Sequence, residues 1–446
     1  MQDIKELEGL EKELKKELRE LGGLVEVFPE MKQVYEEQIK LFKELQKQIQ
    51  TAEQTKVGLF GKGSKQKKEA EAAIEEAEKR MEELSEKIRE YREMLTPVPT
   101  ISVERKKELS ELATAGKLKE IEALEYEELA YCLVATLGIL EQIQKAEKKD
   151  EISQKRFSDQ VQKLQMKVAE GLRSKETVYV AFSPATRCPY LDLREQQNQS
   201  CLWVFTKEEY AKNCKFHFAK EYIFMDVVEV KKEALQEFAK NLPRWGFNFL
   251  ILNNGVHNLM LKLEAWIGTV NYSCPINPKL YTRRFDFFQA LLSFNKVPQT
   301  NHTLYEKYHN PMFIKAKESV MLYEMSQAQY SVVMKTVVQK DATGKEVEMT
   351  EIPTSIKDEQ RFLLIFTDML EFTIWQKVSG FQPEAGKTIA KTLNFDGICT
   401  LAKETGADFV LDAAGWQLQI NETHRNAVNQ VAQQIAELKK KEEKKS

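Results

Sequence analysis

Cys188 is the first residue to weigh for chemistry. It stands in Pro184-Ala185-Thr186-Arg187-Cys188-Pro189, and a neighbouring arginine lowers a thiol pKa and enriches the reactive thiolate. Nucleophilic catalysis also needs a base beside the nucleophile. No histidine is identifiable as that base, and the segment has the composition of a surface loop. The five histidines, His217, His257, His302, His309 and His424, are scattered along the chain. His302 and His309 share a polar segment, seven apart, two helical turns and about 10 Å from one another, too far to share one metal ion. No Cys-x-x-Cys or His-Glu-x-x-His occurs, so metal-ligand spacing is missing. The glycine-rich stretch Lys56–Ser64 invites a phosphate-loop reading, but Gly63 is followed by Ser64 and then Lys65, the reverse of the required order. A turn between helices accounts for it. Arg283-Arg284-Phe285-Asp286-Phe287-Phe288 interleaves cations and aromatics as single-strand binders do. Phe285, Phe288, Leu291, Leu292 and Phe294 instead predict the core-facing side of a helix. The sequence therefore offers no catalytic, cofactor-binding or metal residue, and no cofactor.

The elements that would carry such groups follow from composition and periodicity. The chain has 446 residues, of which 42% are hydrophobic and 30% charged, with a net charge of -3. That is enough apolar material for several cores. A pI near 6.2 shows none of the basic imbalance of a nucleic-acid binder. The charged first residues carry no leader-like apolar stretch, and the longest apolar run, Leu129–Leu140, falls short of the ~20 residues of a membrane span. Six cysteines without a paired pattern suit a reducing compartment. These features predict a cytoplasmic protein without a membrane span.

Before residue 174 nearly everything reads as helix. Residues 3–21 repeat leucine at helical spacing, with Gly22-Gly23 as the expected stop. Residues 30–54 carry a looser seam (Met31, Tyr35, Phe42, Leu45, Ile49, Ala52) that Gln38 interrupts. The cleanest seam runs through 66–95, where Ala70, Ile74, Ala77, Met81, Leu84, Ile88, Tyr91 and Leu95 alternate spacings of four and three. The expectation is an antiparallel hairpin of 30–54 with 66–95, turned at the glycines; self-association through 66–95 is the other use of such a seam. Pro97 and Pro99 close it. A helical bundle follows, its middle helix apolar nearly all round and hence buried. Strands are expected at 177–182, 201–205, 222–225, 247–252, 331–338, 347–353, 362–366 and 409–412, with Asp341–Gly344 as a hairpin turn. The predicted fold is α+β and multidomain. Its parts are a helical/coiled-coil hairpin over 1–96, a bundle over 100–173, a first mixed module over 174–266, a helical connector over 267–328, a second module over 329–438, and a charged tail over 439–446.

The two modules repeat one another. Gly246-Phe-Asn-Phe-Leu-Ile-Leu-Asn-Asn-Gly255 aligns without a gap on Gly406-Ala-Asp-Phe-Val-Leu-Asp-Ala-Ala-Gly415. Upstream, Trp203-Val-Phe-Thr206 matches Leu364-Ile-Phe-Thr367. The two matches lie 41 residues apart in one copy (Phe205 to Gly246) and 40 in the other (Phe366 to Gly406). Each threonine sits where a strand hands over to a helix, and Thr206 with Glu209 has the spacing of a capping box.

This repeat resembles the N-terminal domain of the bacterial SseB (enhanced serine sensitivity) family. The second copy carries the likeness best, in Thr350-Glu-Ile-Pro353, in Leu364-Ile-Phe-Thr-Asp368 with Glu371, Phe372 and Trp375, and in Phe409-Val-Leu-Asp412 with Gly415. Asp412-Ala413 stands where the family has Asn-Pro. The first copy is more diverged, with Phe205-Thr206-Lys207 and Leu252-Asn253-Asn254-Gly255, and it lacks the tryptophan. The likeness covers about 190 residues in two pieces and leaves out the helical N-terminal third. It implies a bacterial, cytoplasmic α+β module without an established reaction. A non-enzymatic protein-interaction or scaffold role is expected, with another protein as partner and no nucleic acid. The alternative is a small-ligand sensor or enzyme with its site between the modules.

Overall fold

The structure is a computed structural model that describes residues 2–25, 31–57, 101–146, 150–272, 276–299, 301–340, 342, 344–352, 354–357, 360–380 and 388–443, with 79, 82, 83 and 86 singly. The glycine-rich stretch beyond Val57, nearly all of the 66–95 seam and the Pro97–Pro99 linker lie outside the described residues. The described chain is α+β, with a helical N-terminal region ahead of two mixed sheets.

Helix α1 (Gln2–Val25) packs along α2 (Lys32–Val57) through Leu14, Leu18, Leu41, Phe42 and Leu45. The described hairpin therefore joins the first two helices. Gln38, which breaks the apolar seam, is fully buried and donates to Glu17 Oε2 at 2.7 Å. A buried polar side chain in an apolar seam fixes register, because a slip would strand Gln38 away from its half-buried partner.

Gly22-Gly23 does not stop α1, as the sequence suggested; the helix runs on to Val25. The reason is tertiary. A Cβ on Gly22 would lie 1.5 Å from the Tyr222 hydroxyl, and one on Gly23 would lie 1.2 Å from the Ala219 carbonyl oxygen. The glycines let α1 press against the end of α7 (Glu208–Ala219), where Leu21, Leu24, Met31 and Val34 enclose Phe216. That burial outweighs the ~1 kcal/mol that each helical glycine costs.

Helices α3 (Val103–Ala115), α4 (Leu118–Glu122), α5 (Tyr126–Lys145) and α6 (Glu151–Ser174) form the bundle. Ser102 and Asp150 cap α3 and α6 by accepting from Arg105 N and Ser153 N. The bundle shares one continuous core with the first sheet: Leu109, Leu133, Leu164 and Leu172 meet Val178, Val180, Leu202, Val204, Leu250 and Leu252. The alternate residues Ala181, Cys201, Trp203, Phe205 and Ile251 face the other way, onto α7. Strict alternation along each strand puts a helical layer on both faces.

The first sheet holds β1 (Thr177–Ser183), β2 (Cys188–Pro189), β3 (Asp192–Arg194), β4 (Gln199–Phe205), β5 (Asp226–Lys231), β6 (Phe249–Leu252) and β7 (Leu259–Lys262), with α8 (Lys232–Asn241) between β5 and β6 and α9 (Leu263–Ile267) after β7. The strand expected at 222–225 falls later, at β5. Tyr222 adopts a left-handed φ of 57° at the end of α7, and β5 is half-exposed, with charges between its valines that weaken the apolar signal. The connector supplies α10 (Pro278–Lys296), α11 (His302–Tyr308) and α12 (Pro311–Gln327). The second sheet has β8 (Gln329–Lys340), β9 (Glu346–Glu351), β10 (Thr354–Lys357), β11 (Gln360–Phe366), β12 (Thr388–Asn394), β13 (Asp408–Leu411) and β14 (Leu418–Ile420), with α13 (Met369–Ser379) and α14 (Phe395–Thr405). Helix α15 (Glu422–Glu443) carries the charged tail further in helix than the sequence suggested.

The two sheets have the same wiring. In each, the first strand is antiparallel to the second, fourth and fifth, and the third is antiparallel to the fourth. The fourth is parallel to the sixth, and the sixth antiparallel to the seventh. A long helix, α6 or α12, leads into each. The repeat read from two short motifs is thus a duplicated sheet.

The gapless alignment of the motifs is corrected by one residue. Asn253 N donates to Val204 O, and Asp412 N donates to Ile365 O. Asn253 therefore corresponds to Asp412, both with left-handed φ near 50°. Gly255 and Gly415 are not equivalent: Val256 and Gly415 are the residues three on from the Asx whose N–H returns to its carbonyl. The first copy carries one extra residue ahead of that loop.

Candidate functional site at the module junction

Each duplicated sheet ends its central parallel pair in the same way. A threonine follows the fourth strand, and an Asx residue follows the sixth. In the first module Thr206 N donates to Asn253 Oδ1 at 2.9 Å, and Asn253 Nδ2 donates to Thr206 Oγ1 at 3.0 Å. The Thr206 hydroxyl then donates to Glu127 Oε1 of α5 at 2.7 Å. His257 Nε2 meets the other Glu127 oxygen at 2.7 Å. Burial opposes the charge of Glu127, yet the hydrogen bonds from His257 and Thr206 prevail and hold it below the usual carboxylate range. The predicted Thr206–Glu209 capping box does not form. The helix starts one residue later than that box requires, with Lys207 at the N-cap position and no side-chain cap.

In the second module Asp368 takes the N-cap position of α13, accepting from Leu370 N at 2.9 Å and Glu371 N at 3.0 Å. Thr367 is left to face Asp412: its N–H donates to Oδ1 and its hydroxyl to Oδ2, both at 2.8 Å. Tyr281 of α10 enters where Glu127 enters in the first module, its hydroxyl 2.6 Å from Thr367 Oγ1. In both copies a polar side chain from the preceding helical segment docks on the strand-end threonine.

The second copy adds a buried ionic network. Arg244, in the turn after α8, has no exposed surface. Its Nε donates to Asp368 Oδ2 at 2.7 Å, Nη2 to Tyr281 at 3.1 Å and to Glu371, and Nη1 to Asn241 at 3.2 Å. A residue of module one thus binds the first turn of a helix in module two. Asn277 stitches the connector to the same place, donating to Gln329 O and Thr367 O and accepting from Gln329 N. Asp412 is shut from solvent. Burial first, and the nearby Glu371 charge second, push its carboxyl up to about 7 against the pull of the Thr367 hydrogen bonds.

The residues singled out from sequence are not brought together into a catalytic set. Cys188 lies in β2, and burial pushes its thiol up to about 11, so Arg187 does not activate it. His309 stacks between Phe294 and Tyr305, with ring centres 4.2 and 3.8 Å away. His424 Nδ1 accepts from Asn421 N in the first turn of α15. The His302 side chain lies outside the described residues. Among the described residues no group of three or more His, Cys, Asp or Glu is placed to hold a metal. Helix α10 buries Tyr281, Phe285 and Phe287, while Arg283 pairs with Glu195. Sequence reading missed Arg244, Asp368, Glu371 and Tyr281 as a group. The only local sign was the Thr plus Asx pair of the repeat. Comparison with protein-family models, with curated proteins and with solved structures gives no match for this chain.

Proposed function

We propose that this protein is a non-enzymatic interaction scaffold of the SseB type, cytoplasmic and bacterial, with another protein as its partner. The observation that carries the reading is the complete burial of Arg244 in bonds to Asp368, Glu371, Tyr281 and Asn241. Charged groups consumed in mutual hydrogen bonds fix geometry; they are poor candidates for reacting with a substrate. The two modules and the bundle then act as one rigid body, and α1 with α2 as an arm set against it. Duplication gives such a body two related faces for a partner. The SseB resemblance supports the module type, and among the described residues no helix is long and apolar enough to cross a membrane.

The test is position-resolved photo-crosslinking in cells. A crosslinking residue at Lys12 on the arm, or at Val378 on the exposed side of α13, is expected to trap one and the same protein reproducibly. If neither position traps a protein above the level of a denatured control, the scaffold reading is wrong. A second reading, a small-ligand sensor with a site between the modules, is favoured by one specific observation at that junction.

A further inference from the structure

Arg284 of α10 is 7% exposed. Its guanidinium carbon stands 4.5 Å from the centre of the Trp416 ring, on the loop that follows Asp412. Stacking occupies the face of a guanidinium and leaves its in-plane N–H groups for acceptors. The Nε of Arg284 finds no acceptor among the described residues, and neither does Nε1 of Trp416, although both atoms are shut from solvent. The hydroxyl of Ser183 is a third buried group without a partner, and Ser183 pairs with Cys188 across β1 and β2. The charge of Arg284 favours the ionised form of both Cys188 in the first module and Asp412 in the second.

A buried N–H of a cation that lacks an acceptor is costly. The acidic groups nearby do not supply that acceptor. Asp368 and Glu371 bind Arg244, and Asp412 binds Thr367. We propose that Arg284 and Trp416 form a buried subsite for a small carboxylate at the module junction, with the Arg284 Nε–H and the indole N–H donating to its oxygens. A carboxylate is planar, has two oxygens and one charge, and so matches two N–H donors and one cation. Sulfate and phosphate are tetrahedral and carry more charge, and so match this planar pair of donors less well. This subsite goes beyond the scaffold reading and does not depend on it.

The probe is sodium acetate, with sodium sulfate and sodium chloride at equal ionic strength. The readout is the thermal unfolding of the full chain at pH 7 by circular dichroism. The variants are Arg284→Met and Trp416→Phe. The phenylalanine keeps an aromatic face under the guanidinium and removes the indole donor together with part of the ring, so each variant's acetate response is measured against its own chloride baseline. Saturating acetate is expected to raise the wild-type Tm by about 2–4 °C over chloride. Both variants are expected to lose most of that rise, whereas general salt effects act on all three proteins alike. Broadening of the carbon-labelled acetate resonance by wild type, and not by either variant, is the second expected result. An acetate rise kept in both variants overturns the subsite. A variant-sensitive rise that is larger with sulfate than with acetate overturns the carboxylate assignment. If Arg284→Met melts above wild type even in saturating acetate, the orphaned donors are merely a buried cost, and the proposal fails.

Discussion

Replacing Asp412 with asparagine gives this chain a pH dependence that can be worked out in advance. In the native protein, burial and the Glu371 charge push the Asp412 carboxyl up to about 7, from 3.8 when exposed. Between those values the folded chain holds a proton that the unfolded chain releases. Stability from this group is therefore fully present below pH ~4 and is lost as the pH rises through about 7. Three pH units at about 1.4 kcal/mol each set an upper limit of about 4 kcal/mol. Asparagine carries no titrating proton and removes that slope. It also fits, because Asn253 already occupies the matching position at the same left-handed φ. There its Oδ1 accepts from Thr206 N and its Nδ2 donates to Thr206 Oγ1. In the Asp412→Asn variant the new side-chain amide donates to Thr367 Oγ1 in the same sense, and the Thr367 hydroxyl turns to Tyr281.

The assay is urea unfolding of wild type and Asp412→Asn between pH 5 and 8.5, followed by tryptophan fluorescence, since Trp375 and Trp416 both lie in the second module. The variant is expected to gain on wild type steadily up to pH ~7 and then level off. Comparing the two proteins at each pH removes the contribution of every other titrating group. A difference that stays flat across this range would show that Asp412 is ionised in the folded protein, and the account of its burial would be wrong.

Truncating Arg244 to alanine leaves Asp368 and Glu371 buried without their cation, for an expected loss of about 3–5 kcal/mol in the same urea assay; a loss below about 1 kcal/mol would mean the junction is wet. Gly23→Val drives a side chain into the Ala219 backbone carbonyl and is expected to lift the arm off module one, read as an increased radius of gyration in solution scattering. Gly22→Val meets only the end of the Tyr222 side chain and is expected to do less. With its thiol pushed up to about 11, Cys188 has under about one thiolate in a thousand molecules at pH 7.5. Iodoacetamide at that pH is expected to label it no faster than other cysteines, and faster labelling would reopen nucleophilic chemistry.

Much of the architecture was legible from local pattern. The apolar, β-prone runs at 177–182 and 362–366, and the helical connector expected over 267–328, place elements that the structure contains. The misses have separate causes. Asp226–Lys231 is a half-exposed strand, and its charges hide it from a reading based on burial. Gly22-Gly23 reads as a helix stop until Ala219 and Tyr222 are seen against it. The gapless repeat misplaces the Asx residues by one position, because one extra residue ahead of the loop leaves the flanking glycines in apparent register.

What the sequence determined by itself was the α+β class, the helical first third and the duplication. The first two follow from periodicities of two and of 3.6, written within short stretches, and the third from two short motifs repeated at nearly the same separation. Only the tertiary structure decided the junction. Arg244 meets Asp368 and Glu371 across 124 and 127 residues, and Tyr281 reaches Thr367 across 86. No local rule pairs such residues. Burial turns ordinary surface charges into a fixed network, and burial is a property of the folded chain alone.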